Sequence, residues 1–255
     1  MKNKISVVII CKNEERIIRS CLDSVTWADE IVIVDSGSTD KTIEIVSEYT
    51  DKIFVNSDWK GFGFQKKLAV SKASNDWVLS LDSDEVVSDE LRDALMDQLD
   101  SLNDQTVYRI NRLTHFCGKF IYHSGWYPSR IVRLFNKKKY DFNDKLVHET
   151  VSCKAAEKID IKGNLYHYTF DSLEEYIDKR NRYAKAWAKG KFEQGKKVNG
   201  LSIITHSLFA FIRHYIIQLG FLDGYHGYLI ATIQMQYTFN KYNFLKYKNL
   251  PDKPL

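Results

Sequence analysis

Two acidic side chains follow a hydrophobic run that is typical of a buried strand. The stretch "WVLSL", residues 77–81, leads directly into Asp82, Ser83 and Asp84, a D-x-D pattern. Two carboxylates at this spacing can bind one hard cation such as Mg²⁺ or Mn²⁺, which can in turn hold a diphosphate. The same pattern also fits a solvated loop before a helix capped at Ser88, so D-x-D alone does not decide the chemistry.

A second acid at the end of a strand favours the metal interpretation. The run "EIVIVD", residues 30–35, is almost continuously β-branched and ends in Asp35. In doubly wound sheets, ligands bind beyond the carboxyl ends of the strands. We therefore expect Asp35 to lie near the D-x-D acids, at one edge of a sheet.

Strand and helix patterns alternate through the first part of the chain. Short apolar runs are typical of strands buried on both faces, and apolar residues at helical spacing separate them. The alternation predicts a doubly wound α/β sheet. Strands are predicted at 5–10, 30–35, 52–56 and 77–81, and helices at 17–25, 41–49 and 64–73.

Composition and charge indicate a folded protein with a basic C-terminal region. The 255 residues are 44% hydrophobic, enough for a sizeable core. The four cysteines have no metal-binding spacing and are interpreted as reduced thiols. A net charge of +4 is weak support for nucleic-acid binding, and no nucleic-acid partner is predicted. The pattern becomes helical and basic late in the chain, so we predict one domain over 1–170 and a second region over 171–255.

The C-terminal region is rich in aromatic, apolar and cationic residues. Its longest uncharged runs, 198–212 and 224–240, contain polar residues and fall short of the roughly 20 apolar residues of a spanning helix. No spanning helix is therefore predicted. The composition suits the surface of an anionic membrane, and it equally suits a helical subdomain that packs on the sheet or on a second subunit.

Three N-terminal blocks resemble those of family 2 glycosyltransferases with the GT-A fold. They are "SVVIICKNEE", "VIVDSGSTDKT" and "DWVLSLDSDE", in the family's order and spacing. Later blocks resemble a bacterial subgroup that adds glucose or a similar sugar to the inner core of lipopolysaccharide or lipooligosaccharide. These are "GWYPSRIVRLF", "LVHETV", "LYHYTF" and "GFLDGYHG". The resemblance implies a Rossmann-like mixed sheet flanked by helices, with a C-terminal helical extension.

The resemblance also implies a donor site for a UDP-sugar. Asp35 would contact the nucleoside, and the loop around Lys12 and Asn13 would form a wall of that pocket. Asp82 would face the ribose and the metal, and Asp84 would ligate the metal, either Mg²⁺ or Mn²⁺.

Two residues late in the domain take their roles from the same resemblance. His167 in "YHY" would complete the metal shell, although a histidine among tyrosines is also compatible with core packing. Glu149 in "VHE" occupies the position of the catalytic base in an inverting transfer, which needs one group to take the proton of the acceptor hydroxyl. The alternative for Glu149 is a surface residue paired with a lysine. His148 is expected to pack or to support Glu149.

Other candidates come from residue type and position. Lys66 lies in a predicted helix and could bind phosphate or nucleoside, or could be solvated. Arg130 and Arg133 would point to opposite faces of a strand unless a bulge intervenes, so we expect one of them, Arg130, to reach the donor. Trp126 in "GWYPSR" could cover the donor or stack on the acceptor sugar, or could be buried in aromatic packing.

The resemblance therefore implies an inverting, metal-dependent glycosyltransferase that uses a UDP-sugar and a lipid-linked saccharide. It would act as a peripheral protein on the inner face of the cytoplasmic membrane. One alternative is a transferase of the same fold with another nucleotide sugar or a polyprenyl-phosphate acceptor. Another is a non-catalytic protein that binds a membrane surface. A nucleotidyltransferase is disfavoured because no glycine-rich basic loop follows the first strand.

Overall fold

The described chain divides into two compact units. The first contains the residues up to Leu113 together with Ser129–His167, and the second contains Thr114–Pro128 with the residues from Tyr168 onward. The division after His167 falls near the predicted one after residue 170, whereas nothing in the sequence indicated that Thr114–Pro128 joins the helices. The computed structural model describes residues 3–143, 149–170 and 172–248, so His148 lies outside the described residues.

The N-terminal half of the first unit is a parallel sheet. Its strands lie in the order β3-β2-β1-β4, and all three pairings are parallel. All residues of β1 and β2 are buried, as expected for strands with both faces covered. The predicted strands and helices are confirmed, with ends that differ by a few residues. The elements are β1 Ile5–Cys11, α1 Ile18–Asp23, β2 Glu30–Asp35, α2 Thr42–Ser47, β3 Ile53–Val55, α3 Phe62–Lys72 and β4 Trp77–Asp82.

Antiparallel strands extend this sheet on the side of β4. The order continues as β4-β8-β6-β9-β5, and β4 pairs antiparallel with β8. With β7, which pairs with the end of β6, the described residues form a mixed sheet of nine strands. The mixed sheet flanked by helices confirms the predicted fold class. The elements are β5 Glu85–Val87, α4 Asp89–Gln98, β6 Thr106–Phe116, β7 Lys119–Phe120, β8 Ser129–Asn136 and β9 Glu157–His167.

Helix α4 begins where the sequence placed it. The Ser88 hydroxyl accepts a hydrogen bond from the backbone N–H of Leu91, which satisfies one of the unpaired donors of the first turn. The predicted cap is therefore confirmed. This helix packs on the sheet through Leu91 and Leu95, both fully buried.

Strand β8 contains a bulge opposite β6. Val132 pairs with Arg109 and Leu134 with Tyr108, so Arg133 has no partner residue on β6. An extra residue of this kind bends a strand and redirects the side chains beside it. The bulge therefore decides where Arg133 points.

The second unit is helical with an aromatic core. Phe116, Ile121, Tyr176, Ile230 and Ile233 form the buried cluster. A π-helical segment over Arg213–Ile217 and a 3₁₀ turn over Gly220–Asp223 connect the last two long helices. These long helices are α5 Leu173–Glu193, α6 Gly200–Ile212 and α7 Tyr225–Lys248.

One helical segment differs from the expectation that no helix could span a membrane. Among the described residues, Gly200–Ile217 has sufficient length and apolar character, with a mean hydropathy of 1.3 over 18 residues. The uncharged run in the sequence ends at Ile212, whereas the helical backbone continues through Arg213, so the length of the run underestimates the length of the helical segment. Only 11% of the segment is buried.

Glu30 connects β2 to its neighbours at the edge of the sheet opposite the strand-end acids. Its carboxylate accepts from the Ser6 hydroxyl and the Lys52 ammonium, and from the backbone N–H of Ser74 at 2.7 Å. Burial opposes ionisation, but these donors lower the pKa of Glu30 to about 2. Because the folded-state pKa lies below the unfolded value of about 4.3, the stabilisation is present above that value. It is lost as the pH falls towards 2.

We expect Glu30→Gln to lower the free energy of unfolding at neutral pH by on the order of 2 kcal/mol. The variant should also lose less stability than the wild type between about pH 5 and pH 2. Urea unfolding across that range measures both effects. Glu44→Gln, at an exposed position on α2, is the control. Parallel pH profiles of wild type and Glu30→Gln would contradict the assignment.

Candidate active site

The last residue of β4 is held between two cations. The Asp82 carboxylate contacts the Lys66 ammonium through Oδ1 at 2.6 Å and the Arg133 guanidinium through Oδ2 at 2.5 Å. Lys66 projects from α3, and Arg133 comes from the bulge of β8, the strand beside β4. Both cations are almost fully buried, whereas the Asp82 side chain is 28% exposed. Three separate elements therefore fix the orientation of this carboxylate.

Each cation also contacts a second acid. Lys66 Nζ lies 2.7 Å from Glu149 Oε1, and Arg133 lies 2.5 Å from Glu85 Oε1. The backbone N–H of Asp82 donates to the other oxygen of Glu85 at 3.0 Å. The result is a row of alternating charges, Glu149–Lys66–Asp82–Arg133–Glu85, which we call the charge chain. Its outer end at Glu149 is 15% exposed and its inner end at Glu85 is fully buried.

The electrostatics differ along the charge chain. For Asp82, burial opposes ionisation, but the positive charges of Arg133 and Lys66 hold the pKa of the carboxyl well below its usual range. For Glu85, burial outweighs Arg133, and the nearby charge of Asp82 helps to raise the pKa. Burial alone would lower the pKa of Arg133. The charges of Asp82 and Glu85 outweigh that effect and raise the pKa above its usual range. Asp82 is thus fixed as an anion, which is the form that can bind a cation or accept hydrogen bonds from a ligand.

The second acid of the D-x-D motif has a different partner. Asp84 Oδ2 lies 3.3 Å from His167 Nε2. Strand β9 pairs with β5 so that His167 stands opposite Glu85, which brings the imidazole next to the turn that carries Asp84. Two residues that are separated by more than eighty positions in the chain are thereby adjacent.

The Asp84–His167 pair fits a divalent cation as two of its ligands. Mg²⁺ typically takes one or two carboxylates, with phosphate oxygens and water in its other positions, and imidazole suits Mn²⁺. Asp82 belongs to the predicted metal set, but both of its oxygens contact cations of the charge chain. No group of three or more candidate ligands is found among the described residues. The pair thus needs oxygens from a bound diphosphate or water to complete a metal shell.

Asp35 and Asn13 shape the loops beyond β1 and β2. Asp35 is buried and accepts from the backbone N–H groups of Gly37 and Ser38, at 2.8 and 2.9 Å, and from the Ser38 hydroxyl. Asn13 donates its backbone N–H to Ser38 Oγ and accepts from the backbone N–H of Thr39, at 2.9 and 2.8 Å. The two loops are therefore tied together. The predicted contact of Asp35 with a nucleoside stays a prediction, as does the predicted role of Lys12, which is exposed on the same loop.

Two predicted donor ligands have other neighbours. Arg130 is about half exposed and lies 3.3 Å from Asp160, which is not a member of the charge chain. Trp126 packs edge-on against Phe116 and Tyr176 in the core of the second unit, at ring-centroid distances of 5.4 and 5.7 Å. This is the aromatic packing that the sequence left open as the alternative for Trp126.

Sequence reasoning missed part of the charge chain. The sequence favours Arg130 over Arg133 as a site residue because no sequence signal marks the bulge in β8. Glu85 follows the D-x-D motif directly, and its acidic type next to that motif was the signal available in the sequence. The structure shows that this acid is fully buried, and a buried acid requires a partner. Arg112 on β6 also approaches Glu85 at 3.9 Å and was not considered.

The mixed sheet and the acids at the ends of β2 and β4 agree with the GT-A fold expected from the sequence blocks. A model of "Glycosyl transferase family 2" matches residues 6–159. The chain belongs to glycosyltransferase family 2, which confirms the resemblance stated from its sequence blocks.

Two bacterial relatives of similar length support the same assignment. The chain is 32% identical over 241 residues to an uncharacterised glycosyltransferase of Rickettsia typhi, covering 90% of this chain and 82% of that one. It is 30% identical over 244 residues to the lipopolysaccharide core biosynthesis glycosyltransferase LpsC of Rhizobium meliloti, covering 93% and 90%. Among solved structures, S. aureus TarS 1-349 in complex with UDP aligns with a TM-score of 0.49 at 21% identity, covering 71% and 64%.

Arg133 should be essential to the fold of the site, because it is buried between two carboxylates. We expect Arg133→Met to lower the free energy of unfolding by about 3–5 kcal/mol, since it leaves buried charge without a partner. Arg130→Met, three residues away on the same strand, removes only an exposed ion pair and should cost less than about 1 kcal/mol. Urea unfolding compares the two variants.

Adding Glu85→Gln to Arg133→Met tests the cause. The second substitution removes one of the unpaired charges and should recover part of the lost stability. Equal costs for Arg133→Met and Arg130→Met, or no recovery in the double variant, would contradict the pairing.

Proposed function

We propose that the protein transfers a sugar, glucose or a similar hexose, from a UDP-sugar to a hydroxyl of a lipid-linked saccharide, with inversion at the transferred carbon. The lipopolysaccharide inner core is the proposed acceptor class. The observation that carries the proposal is the charge chain, which joins Asp82 of the D-x-D motif to Glu149 through Lys66. Support for the acceptor comes from the relative that is named for lipopolysaccharide core biosynthesis.

In the proposed mechanism, Glu149 is the general base. A carboxylate can take the proton of the acceptor hydroxyl while the diphosphate leaves from the opposite face of the sugar, so no covalent intermediate is needed. Lys66 holds one oxygen of Glu149 and one of Asp82, and so fixes the base relative to the donor site. Preorganisation of this kind lowers the cost of aligning the reactants.

The leaving group requires positive charge. A divalent cation, Mg²⁺ or Mn²⁺, bound by Asp84 and His167 would act as a Lewis acid that offsets the charge of the departing diphosphate. Lys66 and Arg133 add fixed positive charge beside Asp82 in a largely buried setting, where electrostatic interactions are stronger than in water. The tied loops that carry Asn13 and Asp35 are the proposed nucleoside wall.

The alternatives differ in substrate or in activity. Another nucleotide sugar or a polyprenyl-phosphate acceptor would use the same cluster and differ only in contacts to the sugar or the acceptor. A non-catalytic protein that binds a membrane surface is disfavoured by the charge chain. Replacing buried ion pairs with apolar residues is often neutral or stabilising, so their retention is better explained by a use for the charges.

The proposed acceptor gives the protein a second partner. A saccharide on a lipid anchor lies at a membrane, so we propose that the protein acts peripherally on the inner face of the cytoplasmic membrane, against an anionic lipid surface. The cationic surplus of the C-terminal region supports this proposal.

The first test is donor binding. Titration of a panel of nucleotide sugars by calorimetry, with and without Mn²⁺, should yield metal-dependent binding of one UDP-sugar. Asp84→Ala should abolish the metal-dependent part because it removes a proposed metal ligand, whereas Asp89→Ala, at an exposed position on α4, should bind as the wild type does. Metal-dependent binding that survives in Asp84→Ala would exclude Asp84 as a ligand.

The second test separates binding from chemistry. Glu149→Gln should bind the donor as the wild type does and lose transfer by about 10²–10⁴-fold, because the amide cannot accept the proton. Initial rates of transfer to a lipid-linked saccharide measure the loss, and Glu174→Gln on the exposed side of α5 is the control. Turnover close to that of the wild type in Glu149→Gln would rule out this residue as the base.

A further inference from the structure

The exposed side of α6 is more apolar than its buried side. Six large apolar residues between Leu201 and Ile216 are each between 47% and 71% exposed. The inward side of α6 carries Ile203 and Ser207, both buried. Helices on a water-facing surface have the opposite arrangement, with polar residues outward. We call the six exposed residues the α6 apolar face: Leu201, Ile204, Leu208, Phe209, Ile212 and Ile216.

The apolar surface does not stop at the end of α6. Ile217, Leu219, Phe221 and Leu222 in the following turns are also exposed, and Tyr225 at the start of α7 is 71% exposed. Eleven exposed large apolar residues therefore fall within the 25 positions 201–225. Large exposed apolar patches mark sites of interaction with proteins or membranes.

Charge around the α6 apolar face is of one sign. Residues 194–222 contain no Asp or Glu, and the next acid, Asp223, is buried. Lys197 is exposed just before α6, and Arg213 is exposed near its other end. Lys246 of α7 lies beside the start of α6, since its Nζ is 4.0 Å from where a Cβ on Gly200 would be. This rim complements an anionic surface, and it would repel the same rim on a second copy of the chain.

We propose that the α6 apolar face inserts into one leaflet of an anionic lipid bilayer, with the cationic rim on the headgroups. This inference builds on the proposed lipid-linked acceptor, because it assigns the membrane partner to one defined face. Helix α6 packs against α7, which carries polar side chains such as Gln236 and Lys241. A helix pair that is apolar on one side lies in the plane of the interface, whereas a spanning helix needs lipid-compatible residues all round.

The test is co-sedimentation of the full chain with phosphatidylcholine vesicles that do or do not contain phosphatidylglycerol. We expect binding to the anionic vesicles and substantial retention in about 1 M NaCl, where the screening length is only about 3 Å, because apolar insertion is not screened. Ile204→Asn with Leu208→Asn should weaken binding by at least roughly tenfold without changing the charge. Val55→Asn with Ile159→Asn removes two exposed apolar side chains from the first unit and should bind as the wild type does.

A second measurement does not depend on the folding of the double variant. An environment-sensitive fluorophore on Leu208→Cys, in a Cys117→Ser background that removes the exposed thiol, should shift to shorter wavelength on anionic vesicles. The same label on Val55→Cys should not shift.

Three results would overturn the insertion. One is equal vesicle binding by wild type and the Ile204/Leu208 variant, and another is loss of all binding in high salt, which would indicate surface electrostatics alone. The third is a dimer that the variant converts to monomer without any vesicle binding, which would mean that a second copy covers the face. Calorimetry with nucleotide sugars, without vesicles, separates this inference from the proposed function, because vesicle binding without any donor binding would overturn only the function.

Discussion

The arrangement of the site depends on one buried cation, Arg133, which lies between the carboxylates of Asp82 and Glu85. Charges are tolerated in a protein interior only when each has a partner in good geometry. Here the cation comes from the bulge of β8, and its two partners come from the end of β4 and the start of β5. Those three elements must therefore keep their mutual positions, or a charge is left buried without compensation.

This constraint links the order of the strands to the chemistry. β8 must lie beside β4 for the guanidinium to reach Asp82, and the chain must turn at once into β5 for Glu85 to face the same cation. The pairing of β5 with β9 then carries His167 to Asp84 as a consequence. Lys66 on α3 likewise links Asp82 to Glu149, because its ammonium contacts both carboxylates. The parallel half alone would supply Asp35, Asp82 and Lys66, but it would lack Arg133, the second cation that orients Asp82.

The predictable part of the molecule is the part encoded by local patterns. Alternating apolar runs and helical spacing predict the positions of the parallel strands and of the helices between them. The residue types around Ser88 likewise predict the helix cap. Residue type and the family blocks predict Asp82, Asp84 and Glu149 as candidate functional acids. The pairing of Arg133 rather than Arg130 with Asp82 and Glu85 depends on one extra residue in β8. This is a matter of register between distant segments, which no local pattern reports.

Both units depart from the usual arrangement of a folded protein, in which charged side chains lie on the surface and apolar side chains lie in the interior. The first unit holds a row of five charged side chains, of which Lys66, Arg133 and Glu85 are buried, and the second exposes an apolar helix face. Each departure costs stability in water, the first through desolvation of the charges and the second through hydration of apolar surface. Such departures are typical of functional sites and of interaction surfaces. The proposed partner of the charged row is the ionic donor substrate. The proposed partner of the α6 apolar face is an anionic lipid bilayer, in which apolar surface is favoured over exposure to water.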